Sequence, residues 1–363
     1  MKKSINILKE VSANIKALNS KQSLQFINLV QGKEILQLST VVTDKLSSNS
    51  FRVDYIINSK SDNTFSYSLN SQADKLEKAC KNIDGKFNAE GILSNGKRQV
   101  QFSINKDFQD LPTYATAEDH DSIAIKDFVS VYDKVKDFVS KDSVRPILTG
   151  VNFNSGYAYA VDGYRVAKIK AYDVVGSNTY NNFTIPQDVM SCVAKWSKSL
   201  KAEVTLKVDK DKYNFIITSS DLKVIVSGEH IQGEYLNCEK VLQGYKDYNF
   251  ALSVNAKDFM NELKFLVDIE GLDKIKNPMV ISPDYDNNTF NLSIAGTQSK
   301  IDITPIKVNK DKLFKFAFNP KYLIDALKNS VENPVLYYDT AISPLIIESG
   351  IDTFLVLPVR INQ

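Results

Sequence analysis

Chemistry in a protein most often starts from histidine, cysteine or clustered carboxylates, and this chain offers few of them. Histidine occurs twice, as His120 in AEDHDS and His230 in GEHIQG, and neither stands in a spacing used for general acid–base work. Cys80, Cys192 and Cys238 are widely separated and form no C-x-x-C pair, which argues for buried free thiols rather than a zinc site or a disulfide framework. None of G-x-x-x-x-G-K-[ST], G-x-S-x-G, H-E-x-x-H or a G-x-G-x-x-G following a strand occurs. The nearest acidic cluster, Asp284 and Asp286 in SPDYDNN, sits among Pro, Asp and Asn and reads as a turn. The expectation is a protein that is not an enzyme and needs no metal and no cofactor.

Lysine is what the sequence supplies in quantity. Lys+Arg number 45 against 43 Asp+Glu, a formal charge of +2, so only segregated charge could hold a polyanion. Arginine is confined to Arg52, Arg98, Arg145, Arg165 and Arg360. No window approaches the roughly 18 apolar residues of a membrane helix. The opening residues carry Lys9, Glu10 and Lys16 where a signal peptide is unbroken and apolar. A cytoplasmic protein with no membrane partner is expected.

The elements that position these lysines follow from periodicity. Apolar residues at helical spacing predict helices over about 5–18 (Leu8, Val11, Ile15, Leu18), 71–83 (Ala73, Leu76, Cys80, Ile83) and 124–139 (Ile125, Phe128, Tyr132, Val135, Phe138). Three more are opened by Pro186 (Val189, Val193, Trp196, Leu200), span about 256–268 (Phe259, Leu263, Leu266, Val267) and span about 320–329 (Leu323, Ala326, Leu327). Alternating runs such as Val204–Val208, Tyr213–Thr218 and Leu222–Ser227 predict strands between them. Two helices recur in each stretch of roughly 120 residues, three times over. The fold class expected is α+β, with two helices packed on antiparallel sheets in each of three similar units.

Lys9, Lys16, Lys75, Lys78, Lys134, Lys195 and Lys198 lie on the polar faces of these helices, and Lys141 just beyond one. A solvated face explains such lysines on any single helix. Their recurrence on helix after helix suits point-charge contact with phosphates, the sequence-independent kind of DNA binding that can slide.

Residues 143–167, SVRPILTGVNFNSGYAYAVDGYRVA, resemble the middle domain of the bacterial DNA polymerase III beta subunit, the sliding clamp. Arg145, Pro146, Leu148, Gly150 and Val151 match its T-R-P-x-L-x-G-V element, and Asp162, Gly163, Arg165 and Ala167 match D-G-H-R-L-A; Tyr164 and Val166 replace the His and Leu. FNPKYLIDALKNS at 318–330, the AISPLII run and LPVRI at 357–361 are similar to the family's closing motifs. FTIPQDVM resembles its middle-domain helix entry, and GEYLNCEKVL matches a further motif with Leu236 in place of proline. The likeness is good over about 100–245 and 310–361 and poor over the first hundred residues.

The resemblance implies three clamp domains, 1–118, 119–245 and 246–363, and a head-to-tail homodimer closed round double-stranded DNA without reading its sequence. It implies an ATP-dependent clamp loader and a replicative DNA polymerase as partners, in DNA replication. Arg145 would stand near the DNA beside the eight lysines. A partner-peptide pocket would be lined by Leu148, Val161, Gly163, Tyr164, Arg165, Val166, Leu236, Val241, Leu355, Leu357, Pro358, Val359 and Arg360, with Asn319, Tyr322, Ile342 and Pro344 nearby. The dimer interface would join Phe102 and Ile104 to Leu266 and Ile269. A strand buried within its own domain is an equally good account of Leu355, Leu357 and Val359, and an intradomain core of the four interface residues. The rival function is a clamp-shaped protein-interaction module that no longer encircles DNA.

Overall fold

The computed structural model describes residues 2–21, 23–43, 49–70, 72–107, 111–112, 114, 122–173, 182–271, 278–309 and 314–360. His120 lies outside them. Their α-helices are α1 (Lys2–Lys21), α2 (Ala73–Asn82), α3 (Phe128–Val135), α4 (Gln187–Leu200), α5 (Cys238–Val241), α6 (Ala256–Glu270) and α7 (Pro320–Leu327). The five expected at 5–18, 71–83, after Pro186, 256–268 and 320–329 all form. The expected helix at 124–139 is shorter. Its first residues make the strand Ile123–Ile125, paired with Val204–Leu206, and its end tightens into a 3₁₀ turn at Lys136–Phe138.

Along the chain one order of elements recurs: a helix, three strands, a further strand, a second helix and more strands. It runs from α1 through the strand Phe65–Asn70 to α2, from α3 through Asn182–Pro186 to α4, and from α6 through Phe316–Phe318 to α7. Asparagine caps open the later helices: Asn255 Oδ1 accepts from the Asp258 amide (3.0 Å) and Asn319 Oδ1 from the Lys321 amide (3.0 Å), the latter with Pro320 in the first turn.

The chain forms two units by its contacts, one of residues 1–129 and 172–233, the other of 130–171 and 234–363. In the first unit a nine-stranded sheet runs Ile104–Asn105, Phe65–Asn70, Ser23–Gln31, Ile35–Thr43, Ser50–Asn58, Leu222–Glu229, Lys212–Thr218, Val204–Val208, Ile123–Ile125. Period-2 burial in Lys212–Thr218 turns Tyr213, Phe215 and Ile217 inward. Helices α1 and α2 pack together, and α4 covers Lys212–Thr218 and Leu222–Glu229. Asn14 of α1 accepts from Trp196 Nε1 (3.1 Å) and Lys195 Nζ (3.0 Å) and donates to Tyr55 Oη (3.2 Å) when its amide is oriented to satisfy all three.

In the second unit the strands Gly150–Asn154, Tyr157–Val161, Arg165–Lys170, Asp352–Val356, Leu345–Ser349, Val335–Tyr338, Phe250–Val254, Thr297–Lys307, Thr289–Ile294, Met279–Asp284 and Phe316–Phe318 follow one another as antiparallel neighbours. Phe354 faces Phe138, 5.4 Å away. The opposite face of the same strands carries Val161, Val166, Ile346 and Leu355, packed against Tyr235, Cys238 and Leu242 of the segment that contains α5. Asp284 closes the turn after its strand by accepting from the Asn287 amide (3.1 Å) and side chain (2.9 Å), as the sequence suggests.

Candidate functional site

The D-G-Y-R run makes the hairpin between Tyr157–Val161 and Arg165–Lys170. Asp162 accepts the Tyr164 amide (3.0 Å) and the Arg165 amide (3.1 Å), and Gly163 takes φ +91°, which a side chain would strain. Arg165 then folds back under the hairpin at 7% exposure. Its Nε meets Asp162 (2.7 Å), one terminal nitrogen meets Asp325 of α7 (2.7 Å) and the other donates to the Asp137 carbonyl. The guanidinium lies between the rings of Phe138 (4.9 Å) and Tyr322 (4.3 Å), and Tyr322 stacks on Tyr164 (6.0 Å). The two carboxylates outweigh burial and hold its pKa above the ordinary arginine value. Arg165 therefore builds the wall of the site with its donors engaged, and the exposed element of that wall is Tyr164, at 60%.

Beside this wall runs an apolar row. Val161 pairs with Val166, Val166 with Leu355 and Leu355 with Ile346, so one file of side chains crosses four strands, all buried. Leu148 packs against it from the edge, half-buried. The α5 segment flanks it on one side with Leu236 and Val241, both exposed. On the other the chain after Val356 leaves the sheet without ending its pairing: the Leu357 amide donates to the Tyr164 carbonyl (2.9 Å) and the Val359 amide to the Ala317 carbonyl (2.7 Å). Leu357, Val359 and Arg360 are exposed there, with Pro358, Pro344, Asn319 and Tyr322 half-buried and Ile342 exposed.

Thirteen large hydrophobic side chains are exposed among the described residues, and six of them are Tyr164, Leu236, Val241, Ile342, Leu357 and Val359. Six of the expected pocket residues thus lie in the second unit as exposed apolar groups, and Val161, Val166 and Leu355 lie there in a buried apolar file. Val161, Val166 and Leu355 are floor, in keeping with a buried strand, whereas Leu357 and Val359 are surface.

The basic residues are more divided. Lys9, Lys75, Lys78, Lys141, Arg145, Lys195 and Lys198 are exposed. Lys16 lies 3.3 Å from Glu77 and 3.7 Å from Asp74 on α2, and Lys75 Nζ reaches the Gln101 carbonyl (2.5 Å). Lys134 is half-buried against Asp352 at 2.6 Å, where that carboxylate also accepts the Lys170 amide (2.9 Å). It fastens α3 to the last strand pair.

The expected interface needs correction. Phe102 is 1% exposed, with its ring 5.8 Å from that of Phe87, and Leu266 is fully buried on the inner face of α6, so neither presents surface to a partner. Ile104 is half-buried on the edge strand of its sheet, and Ile269 is 63% exposed. Phe265, one turn before Ile269 on the same face of α6, is exposed as well.

All three thiols are buried, and desolvation pushes each up to about 12. His230 is buried between Phe183 (5.4 Å) and Tyr213 (6.1 Å), and burial pushes its pKa down to about 4. No three His, Cys, Asp or Glu side chains gather into a metal-holding group among the described residues, and no helix there is long and apolar enough to cross a membrane.

No family model matches the chain. The beta sliding clamp of Staphylococcus epidermidis is 22% identical over 318 residues, covering 77% of this chain and 79% of that protein. That of Chlamydia pneumoniae is 25% identical over 232 residues, covering 62% and 60%. The solved DNA polymerase sliding clamp of Bacillus subtilis superposes with a TM-score of 0.80 at 20% identity, over 99% of this chain and 98% of that one. The beta subunit from the DNA polymerase of Streptococcus pyogenes gives 0.77 at 15% identity over 96% and 97%. The chain has the sliding-clamp fold along nearly its whole length and is similar in sequence to bacterial beta sliding clamps.

Proposed function

We propose that this protein is a DNA sliding clamp, a non-enzymatic processivity factor of the cytoplasm. Two copies, each of three domains at 1–118, 119–245 and 246–363, close head to tail round duplex DNA. An ATP-dependent loader opens the ring, and the apolar pocket tethers the replicative polymerase and other enzymes. A ring retains DNA by linkage, so contact with the phosphates through Lys9, Lys78, Lys141, Lys198 and Arg145 stays weak and diffusive. The Phe265 and Ile269 face of α6 and the edge strand at Ile104 are the surfaces available to the dimer.

The observation that carries the reading is the set of exposed apolar side chains round the Val161–Val166–Leu355 floor. Each peptide side chain fully buried there contributes about 1.5–3 kcal/mol, so two or three anchors offset the cost of ordering a short peptide and give exchangeable, micromolar docking. A fluorescent Gln-Leu-Ala-Leu-Phe peptide is expected to bind with micromolar Kd, and protein assembled on a circular plasmid is expected to leave when the plasmid is cut. Retention on the linear product overturns the ring. Peptide binding without any topological hold on DNA establishes the second reading, the interaction module. The engagement of Lys16 and Lys134 with carboxylates favours that module.

A further inference from the structure

The apolar pocket has one wall that cannot stand by itself. Leu236 and Val241 belong to a segment whose only helix, α5, is four residues long, far below the length at which a helix sustains itself. Asn237 caps it by accepting the Lys240 amide (3.0 Å), and Cys238 and Leu242 anchor it on the floor. Glu239 is a charged side chain that ties α5 to the sheet. Its carboxylate meets Lys168 Nζ at 2.7 Å and accepts the Tyr159 hydroxyl, and Lys168 in turn lies over the Tyr157 ring at 4.5 Å. Tyr159 and Lys168 pair across neighbouring strands two residues along from Val161 and Val166. The clasp is thus built on the same face of the sheet as the pocket floor. A second tie holds the far end of the segment, where Glu348 accepts Tyr245 Oη (2.7 Å) and meets Lys246.

We infer that Glu239 is a positioning residue for partner docking: held by Lys168 and Tyr159, it fixes α5 so that Leu236 and Val241 stand at the edge of the Val161–Val166–Leu355 floor. The inference rests on the peptide-docking reading. Both partners push the Glu239 carboxyl below the usual carboxylate range, against the effect of its partial burial, so the clasp is closed at neutral pH. The charge pair gives α5 one orientation on a floor of aliphatic side chains that would accept several.

Two measurements on the full chain test this. Hydrogen–deuterium exchange without peptide is expected to be at least tenfold faster over residues 236–242 in Glu239→Ala, with the rest of the second unit unchanged; an unchanged rate overturns the inference, whether or not any peptide binds. Binding of the Gln-Leu-Ala-Leu-Phe peptide is expected to fall five- to twentyfold in Glu239→Ala and two- to fivefold in Glu239→Gln, which keeps an acceptor for Tyr159. The double swap Glu239→Lys with Lys168→Glu is expected to restore affinity to within threefold of wild type, and failure of that rescue overturns the inference. A wild-type protein that ignores the peptide while Glu239→Ala still speeds exchange overturns the docking reading and leaves the clasp standing.

Discussion

Two strand seams occupy the same place in the recurring order of elements, one in each unit. In the first unit Ser50–Asn58 meets Leu222–Glu229 over seven residue pairs, from Phe51 with Gly228 to Ile57 with Leu222; in the second, Arg165–Lys170 meets Asp352–Val356 over four, from Arg165 with Val356 to Lys168 with Thr353. The chain leaves both seams alike, Ile231 donating to the Thr184 carbonyl (2.9 Å) and Val359 to the Ala317 carbonyl (2.7 Å), so positions can be matched between them. The file Val161, Val166, Leu355, Ile346 then corresponds to Val41, Arg52, Ser227, Asn214. Arg52 is paired with Asp54 (2.8 Å), and Asp54 also accepts from Ser39 (2.5 Å) and Gln37 (3.1 Å). One topology thus presents an apolar floor at one seam and a hydrogen-bonded polar ladder at the other. An apolar ligand on the ladder would have to displace charge-assisted bonds that it could not replace. Gly228, where an added Cβ would meet the Tyr213 hydroxyl at 2.4 Å, keeps the first seam closely packed.

The largest contrast lies in the charges beneath each seam. Arg165→Met leaves Asp162 and Asp325 without their shared cation and is expected to cost about 3–5 kcal/mol in urea unfolding, whereas Arg52→Met leaves Asp54 its Ser39 and Gln37 donors and is expected to cost about 1 kcal/mol. Equal losses would erase the distinction between two carboxylates that share one cation and a carboxylate that keeps neutral donors.

Acid separates the units next. His230 binds its proton near 6.5 when unfolded and only near about 4 when folded, so between those values the unfolded chain holds more protons and stability falls as pH falls. The linkage amounts to about 3 kcal/mol of first-unit stability, present above pH 6.5 and lost by pH 4. Trp196, the single tryptophan, lies in that unit, so its fluorescence during urea unfolding reads the loss directly. His230→Phe is expected to flatten the profile in this window; an unaltered slope would assign the acid sensitivity elsewhere.

At the apolar seam, Leu236→Ala and Leu357→Ala are each expected to weaken the peptide five- to thirtyfold, about 1–2 kcal/mol, without lowering the melting temperature. Ser227→Ala, at the matched position of the polar seam, is expected to leave peptide affinity unchanged. The smallest effect belongs to the lysines. Lys78→Ala is expected to change DNA association less than threefold at fixed salt, while joint removal of Lys9, Lys78, Lys141 and Lys198 lowers the slope of log K against log salt by about 3–4. One lysine that abolished binding would point to a specific contact instead.

Much of this was legible in the residues. The apolar stripes of α2, α4, α6 and α7 mark their helices because each must bury one face, and the D-G-Y-R run places the hairpin because Asp and Gly serve a turn that few other residues can make. Ile125 shows the limit: its helical spacing from Phe128 is real, but pairing with Val204 claims it for a strand. Lys134 shows another, since its partner Asp352 is 218 residues away and no local pattern reveals it. Phe102 and Leu266 carry no mark that distinguishes a partner-facing hydrophobe from a core one; only packing does. The α5 turn is too short to leave a periodic signal, yet it supplies one side of the proposed pocket.

The three buried thiols turn the protein into a convenient object for labelling. A cysteine introduced at an exposed position such as Lys141 or Ile342 would react with maleimide alone while the fold is intact, giving one dye per chain without removing any native cysteine. Cys238 is the buried first residue of α5, so its slow alkylation would time each moment at which that segment lifts from the sheet.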